Sequence, residues 1–152
     1  MGSYQLHWVE IAGGFLALGH RPGRKLREQL QQQDCTLIVS LLGEHESTAK
    51  EDESRIRLPL ASATPPGAKR DKEVHHVLER IQAELARGGR VFIHCSAGLH
   101  RTGMIAYAFF RHLGWNQEDS IATIRELREL TASELTHERR TWGERFGTTE
   151  AA

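Results

Sequence analysis

The chain has 152 residues, 39% of them hydrophobic and 26% charged, which is enough to build one ordinary globular domain with its own core. Lys plus Arg and Asp plus Glu both total 20, and this balance excludes a strong overall attraction to nucleic acid or to an anionic membrane. The cations comprise 16 Arg and only 4 Lys, a bias that is compatible with a phosphate ester ligand because Arg binds phosphate in a bidentate manner.

Hydrophobic periodicity divides the chain into alternating short strands and helices. Strands are indicated by alternation or by short apolar runs, and helices by apolar residues recurring every three or four positions. In chain order, the predicted elements are strands at Tyr4–Ile11 and Phe15–Leu18, a helix after Pro22, strands at Leu37–Leu42 and Ile56–Leu60, a helix over Val74–Leu85, a strand at Val91–Ile93, and helices over Arg101–Leu113, Asp119–Leu130 and Ser133–Arg145. This order predicts a single α/β domain over residues 1–152, with a central, mainly parallel sheet flanked by helices.

Glycine and proline mark the ends of several predicted elements. Gly13-Gly14 indicates a hairpin turn between the first two strands. Gly88-Gly89 marks the end of the helix predicted over Val74–Leu85. Pro59 lacks an N–H group, so its strand is expected at the edge or the end of the sheet. The segment Ala61–Lys72 is rich in Ser, Thr, Pro and Gly and predicts a long loop of the kind that carries function.

The apolar runs and the cysteines predict the cellular environment of the protein. The longest apolar runs, Leu37–Leu42 and Met104–Phe110, are too short to cross a bilayer, so no membrane association is expected. Because no secretory signal pattern opens the chain, we expect a cytoplasmic location. Cys35 and Cys95 are too few for a disulfide framework or a zinc ligand set, so both are expected to be free thiols.

One ten-residue segment carries the strongest signal in the sequence. It reads His94-Cys95-Ser96-Ala97-Gly98-Leu99-His100-Arg101-Thr102-Gly103 and lies between a short apolar strand and an apolar helix. A Cys followed six positions later by Arg would arise by chance with a probability of roughly 0.2 in this composition. The additional His, Gly, Thr and Gly at fixed positions lower that probability to about one in 10⁵. The segment is therefore specific enough to predict chemistry.

A loop that leads into a helix N-terminus is suited to bind phosphate and to activate a thiol. Its backbone N–H groups converge on one anion, and the same positive field favours the thiolate form of Cys95. Arg101 can hold two phosphate oxygens, Thr102 can donate a hydrogen bond to the thiolate, and His94 and Gly103 support the loop. Cys95 would attack phosphorus to form a phosphocysteine that water hydrolyses. The expected phosphate-binding residues are Ser96, Ala97, Gly98, Leu99, His100 and Arg101.

The segment resembles the signature of the protein-tyrosine phosphatase superfamily, which is His-Cys, five residues, Arg, then Ser or Thr. The matching positions are His94, Cys95, Arg101 and Thr102. The small size of the chain is more similar to the compact dual-specificity branch. The resemblance implies a dual-specificity-phosphatase-like fold, no metal or other cofactor, and a phosphorylated partner, by default a protein carrying phosphotyrosine, phosphoserine or phosphothreonine.

Two positions depart from the pattern of this superfamily. His100 precedes Arg101 where relatives usually have a small or polar residue, and both a passive place at the pocket rim and a role in substrate contact or proton transfer stay open. Relatives carry a general-acid Asp on a loop before the cysteine, whereas Ala61–Pro66 holds no carboxylate and Ser62 falls near the expected place. The candidate substitutes are Glu44, Glu46 and Asp71, ranked ahead of His100.

Two alternatives to protein dephosphorylation stay open. The arginine-rich composition and the missing acid are compatible with a phosphatase that acts on RNA or nucleotide phosphate. A phosphate-binding module with little turnover is the second alternative, but binding alone does not need the nucleophile Cys95 beside Arg101. The sequence makes no prediction of the oligomeric state.

Overall fold

The computed structural model describes residues 5–47 and 49–147, which form five strands and six α-helices. The strands are β1 (Val9–Ile11), β2 (Gly14–Gly19), β3 (Leu37–Ser40), β4 (Arg55–Arg57) and β5 (Arg90–His94). The helices are α1 (Arg24–Gln32), α2 (Asp71–Ala86), α3 (His100–His112), α4 (Gln117–Leu127), α5 (Glu129–Ser133) and α6 (His137–Glu144), and a 3₁₀ turn at Ala68–Arg70 precedes α2. Tyr4, the predicted start of the first strand, lies outside the described residues.

The strands form one sheet in the order β1-β2-β5-β3-β4. β1 and β2 are an antiparallel hairpin whose turn includes Gly13 at a φ of 98°, a conformation that glycine adopts without strain. All other neighbouring pairs are parallel, which confirms the predicted mainly parallel sheet. Gly19 and Ser40, at the ends of β2 and β3, are both in register with His94, so three segments leave the sheet at the same edge. In α/β folds, ligands usually bind at this carboxyl edge of the sheet.

Helices cover both faces of the sheet because side chains alternate along each strand. Leu16 and Leu18 of β2 face a large buried cluster formed with α2, α3, α4, α5 and α6, whereas Ala17 faces a smaller cluster formed with α1. Leu26 and Leu30 of α1 complete that smaller cluster, as their spacing predicts. Each fully buried aliphatic or aromatic side chain contributes about 1.5–3 kcal/mol to this core. None of the helices in residues 5–47 and 49–147 has the length and apolar character needed to cross a bilayer.

Three strands are shorter than predicted. β1 begins only at Val9, and β3 ends at Ser40 rather than Leu42, because the neighbouring strands β5 and β4 also end at that level. β4 ends at Arg57, before Pro59, since proline cannot continue a ladder of backbone hydrogen bonds. β4 is an edge strand, as the proline predicts.

The C-terminal helices are divided differently from the prediction. The single helix predicted over Ser133–Arg145 is wrong, because the side chain of Thr136 accepts a hydrogen bond from the N–H of Arg139 and begins a new helix, α6. α4 ends before Arg128, whose backbone is extended. Leu130, the predicted last residue of the helix that begins at Asp119, therefore lies in α5 and is 53% exposed.

Candidate active site

The phosphate loop, Cys95–Arg101, leaves the carboxyl end of β5 and enters α3. β5 ends at His94 and α3 begins at His100, so the loop wraps around the positive end of a helix. Gly98 has a φ of 75°, and a Cβ at this position would lie 2.3 Å from the carbonyl oxygen of Gly19. The loop thus passes so close to the end of β2 that only glycine fits there.

A pocket of about 270 Å³ opens above the phosphate loop. Cys95 lies at its floor, where only 2% of the residue is exposed. The hydroxyl of Thr102 donates a hydrogen bond of 3.1 Å to the sulfur of Cys95, which is the contact expected from its position in the motif. Gly98 and Leu99 belong to the loop but do not line the pocket. The lining residues are Ser62, Ala63, Cys95, Ser96, Ala97, His100 and Arg101.

Arg101 is held at the pocket by contacts from two other segments. Its Nη1 lies 2.6 Å from Oε1 of Glu46, and its Nη2 lies 3.2 Å from Oε2 of the same carboxylate. Nη1 also donates to the carbonyl oxygen of Leu60 at 2.7 Å. Because the guanidinium is fixed mainly through one terminal nitrogen, its remaining N–H groups can be directed at a phosphate in the pocket.

Glu46 is in the wrong protonation state for a general acid. The hydrogen bond from Arg101 and the backbone N–H of Gly43, 2.7 Å away, lower the pKa of Glu46 to about 2. At neutral pH this carboxyl group therefore has no proton to donate. Glu46 instead positions Arg101, a role that spacing along the chain does not indicate because the two residues are 55 positions apart.

The other carboxylate candidates lie away from the pocket. Glu44 is exposed, and it is not a lining residue. Asp71 was predicted to lie in the long loop Ala61–Lys72, but it belongs to the first turn of α2, where it is paired with Arg145. An acidic residue is favourable in that first turn because of the helix dipole. Within the part of the chain that the structure describes, no carboxylate lines the pocket, whereas His100 does.

Distant segments support the phosphate loop from below. Thr131 donates a hydrogen bond of 2.6 Å to the carbonyl oxygen of Gly98, and Nη1 of Arg128 donates to the same oxygen at 2.8 Å. The N–H of Arg21 bonds the carbonyl oxygen of Ser96 at 2.9 Å. Sequence reasoning missed these supporting residues because the contacts link parts of the chain that are about thirty or more positions apart.

His94 is buried beneath the loop in its neutral form. Only 1% of the residue is exposed, its Nδ1 lies 3.2 Å from the carbonyl oxygen of Cys95, and its ring stacks on Phe92. Nε2 is buried without a hydrogen-bond partner among the described residues. Burial is the largest cause of a pKa lowered to about 4.

Comparison with known proteins identifies the family. The family described as the dual specificity phosphatase catalytic domain matches residues 16–140. The chain belongs to this family. It is a cysteine-dependent phosphatase, which confirms the superfamily and the compact branch that the phosphate-loop motif indicated. No match was found among the curated proteins.

Solved structures show the same dual-specificity phosphatase fold. DUSP15 is 24% identical, with a TM-score of 0.70 over 95% of this chain and 88% of that one. The human tyrosine phosphatase-like serine/threonine/tyrosine-interacting protein is 20% identical, with a TM-score of 0.72 over 91% and 93% of the two chains. PTPMT1 in complex with PI(5)P is 18% identical, with a TM-score of 0.70 over 86% and 88%. At these identities the likeness is one of fold.

The burial of His94 predicts that acid destabilises this dual-specificity phosphatase. Its pKa is about 4 in the folded protein against 6.5 when exposed, so its contribution to stability is complete above pH 6.5 and is lost as the pH falls toward 4. Between about pH 7.5 and 5 the expected loss is about 2 kcal/mol of unfolding free energy. Urea unfolding across this range, which avoids the carboxylates that titrate below it, measures the loss. His94→Asn should show a flatter dependence than the parent, and parallel curves for the two proteins would contradict this account.

The two thiols of the phosphatase should differ sharply in reactivity. Burial raises the pKa of Cys35 to about 11, so only about one molecule in 10⁴ carries its thiolate at pH 7. Iodoacetamide at neutral pH should therefore modify Cys95 first, and inorganic phosphate should slow that modification. Peptide mapping of the alkylated sites gives both rates, with Cys95→Ser and Cys35→Ala as matched single-thiol variants. Equal rates in the native protein would refute both assignments.

Proposed function

We propose that this phosphatase hydrolyses phosphomonoesters through a phosphocysteine intermediate, with phosphoproteins as its substrates. The observation that carries the mechanism is the placement of the Cys95 sulfur at the pocket floor, 3.1 Å from the Thr102 hydroxyl. Sulfur bonds to phosphorus as the bond to the leaving oxygen breaks, and water then breaks the S–P bond. The Thr102 hydroxyl stabilises the thiolate before attack and when it departs.

Electrostatic stabilisation of the transferring phosphoryl group falls to the loop and to Arg101. The converging N–H groups at the start of α3 and the guanidinium face the oxygens whose charge is redistributed in the transition state. Glu46 holds the guanidinium in place through contacts of 2.6 and 3.2 Å, so little reorganisation is needed when substrate binds. Preorganised charge of this kind is usually the largest single contribution to phosphoryl transfer.

A trapped intermediate tests the mechanism directly. The protein is mixed with a ³²P-labelled phosphopeptide, denatured within one turnover, and digested for peptide mapping. The label is expected on the peptide that contains Cys95 and is expected to be absent from Cys95→Ser. Turnover of the parent without any labelled cysteine would overturn the proposal.

The substrate class rests on the character of the pocket. Among its lining residues Arg101 carries the permanent positive charge and there is no lysine, which disfavours highly phosphorylated inositides and favours a single phosphate on a protein side chain. A cytoplasmic location is part of this proposal. The panel that tests it contains phosphotyrosine, phosphoserine and phosphothreonine peptides, nucleotide mono- and triphosphates, 5′-mono- and 5′-triphosphorylated RNA, and PI(5)P, the last because PTPMT1 has been solved in complex with it. Faster hydrolysis of the nucleotides, the RNA or PI(5)P than of every phosphopeptide would reject the phosphoprotein assignment.

One observation favours a second candidate, a phosphatase for RNA or nucleotide phosphate. No carboxylate lines the pocket in the described ranges, so the site is not built in the usual way to protonate an alkoxide, whether of serine, threonine or ribose. A phosphoanhydride of a nucleotide or of an RNA 5′ end releases phosphate instead, which needs no such proton. Faster turnover of the RNA or nucleotide arms of the panel would support this candidate. Binding of phosphorylated ligands without turnover of any arm would instead support a phosphate-binding module.

A further inference from the structure

The leaving group of the proposed reaction needs a proton, and His100 is placed to supply it. An in-line attack by sulfur at the pocket floor puts the leaving oxygen on the opposite side of phosphorus, toward the mouth of the pocket. A proton donor must therefore stand at the rim. Cys95 is 2% exposed, whereas the side chain of His100 lines the same pocket and is 46% exposed. His100 thus lies on the side from which the leaving group departs.

Other proton donors are missing from this rim. Apart from Cys95 and Arg101, His100 is the only titratable side chain that lines the pocket in residues 5–47 and 49–147. Ser62 and Ala63 also line the pocket, but a serine hydroxyl is far too weak an acid for this task at neutral pH. Imidazole, in contrast, exchanges a proton near neutral pH and is the commonest acid–base group in enzymes.

Two charged side chains approach Nδ1 of His100. Oε1 of Glu134 lies 3.9 Å away, and a carboxylate there favours a proton on Nδ1, which leaves Nε2 as the nitrogen that exchanges its proton. Nη1 of Arg139 lies 3.3 Å from the same Nδ1, and the role of this contact depends on the tautomer of the ring. The groups that face His100 are thus Arg139 from α6, Glu134 after α5, and Cys95 and Arg101 in the pocket, with one carboxylate balancing the cations.

We propose that His100 is the general acid and base of this site, in place of the carboxylic acid used by relatives; this inference rests on the proposed phosphocysteine mechanism. In the first step the S–P bond forms, the P–O bond breaks, and the imidazolium proton passes to the leaving oxygen. In the second step water attacks phosphorus, the neutral imidazole accepts a proton from that water, and the electron pair of the S–P bond returns to sulfur. Each turnover therefore restores the thiolate and the imidazolium.

Arg139 is the positioning residue for this chemistry. Besides contacting His100, its Nε donates to the carbonyl oxygen of Ala63 at 3.2 Å, and its Nη1 donates to the carbonyl oxygen of Glu134 at 3.1 Å. The side chain of Arg139 thus contacts the loop that contains Ala63, the imidazole of His100 and the segment after α5.

The test is the dependence of kcat/KM on the leaving group, because kcat/KM reports the steps up to departure of the alcohol or phenol. A series of aryl phosphates with increasingly basic phenols, extended by an alkyl phosphate, is assayed with the parent, His100→Gln and the control His76→Gln, an exposed histidine on α2. His100→Gln should lose about 10²-fold on the most basic leaving groups but less than about threefold on the most acidic phenol. His76→Gln should match the parent throughout.

The pH profile supplies a readout that a structural role would not move. With the most basic leaving group, kcat/KM of the parent should fall as the pH rises and the imidazolium loses its proton, and this alkaline limb should vanish in His100→Gln. In the leaving-group series, Arg139→Gln should lose more kcat/KM on the most basic leaving group than on the most acidic phenol, and Arg139→Lys should lose less. An equal loss across the leaving-group series, or an alkaline limb that persists in His100→Gln, would overturn the assignment of His100. Failure of the underlying mechanism is recognised separately, since no labelled phosphocysteine would then form in the parent.

Discussion

Cys95→Ser is expected to reduce kcat on an activated aryl phosphate by at least about 10⁴-fold, since removal of a covalent nucleophile commonly costs this much or more. A hydroxyl at this position is barely ionised at neutral pH, even with Thr102 beside it, so it cannot attack phosphorus at a useful rate. The phosphate loop itself is unchanged by the substitution, because serine fits the space of a cysteine that is 2% exposed. The measurement is steady-state turnover of p-nitrophenyl phosphate by the parent and the variant.

Anion binding separates loss of the nucleophile from loss of the site. Inorganic phosphate should raise the melting temperature of Cys95→Ser as much as that of the parent, because the N–H groups of the loop and Arg101 are retained. Cys35→Ser, which changes the half-buried thiol outside the pocket, should retain turnover. Near-normal turnover by Cys95→Ser would rule out the covalent mechanism. If phosphate did not raise the melting temperature of this variant, the loop would not have folded.

Arg101→Lys is expected to reduce kcat/KM by about 10²–10³-fold, the typical effect of removing a preorganised donor to transition-state charge. A lysine is a point charge and cannot hold two phosphate oxygens while also contacting Glu46 and the carbonyl oxygen of Leu60. The same aryl phosphate assay measures the loss. A fall of less than about tenfold would show that Arg101 does not clamp the phosphoryl group.

Glu46→Gln is the natural companion to that variant. The amide keeps the size of the side chain but not its charge, so Arg101 should be held less firmly and kcat/KM should fall by a smaller factor than in Arg101→Lys. In the double variant the two losses should not add, because Glu46 acts only through Arg101. Additive losses would mean that Glu46 contributes to catalysis independently of the arginine.

The arrangement of the proposed catalytic residues could be predicted because they are close together in the sequence. Cys95 follows β5, and Arg101 and Thr102 lie in the first turn of α3, so local spacing alone brings the proposed nucleophile, phosphate clamp and thiolate partner together. The hairpin at Gly13 and the helix after Pro22 were predicted for the same reason, since each depends on residues a few positions apart. Boundaries were less well predicted where a neighbouring strand or a new helix cap ends an element, as at Leu42 and Thr136.

The general acid shows what a sequence cannot decide by itself. Glu44, Glu46 and Asp71 are all carboxylates that follow strands of the sheet in the sequence. Their positions along the chain do not show which of them could donate a proton in the pocket. Only the folded chain places the carboxylate of Glu46 against an arginine 55 positions away and lowers its pKa to about 2, and only the folded chain pairs Asp71 with Arg145. His100 gains its contact with Arg139 in the same way, across 39 positions. The sequence by itself thus determined the family and the loop with its cysteine and arginine, because these residues are close together along the chain. Tertiary structure decided where the candidate carboxylates lie and that Glu46 is ionised, because position and protonation depend on partners that the chain brings together only when it folds.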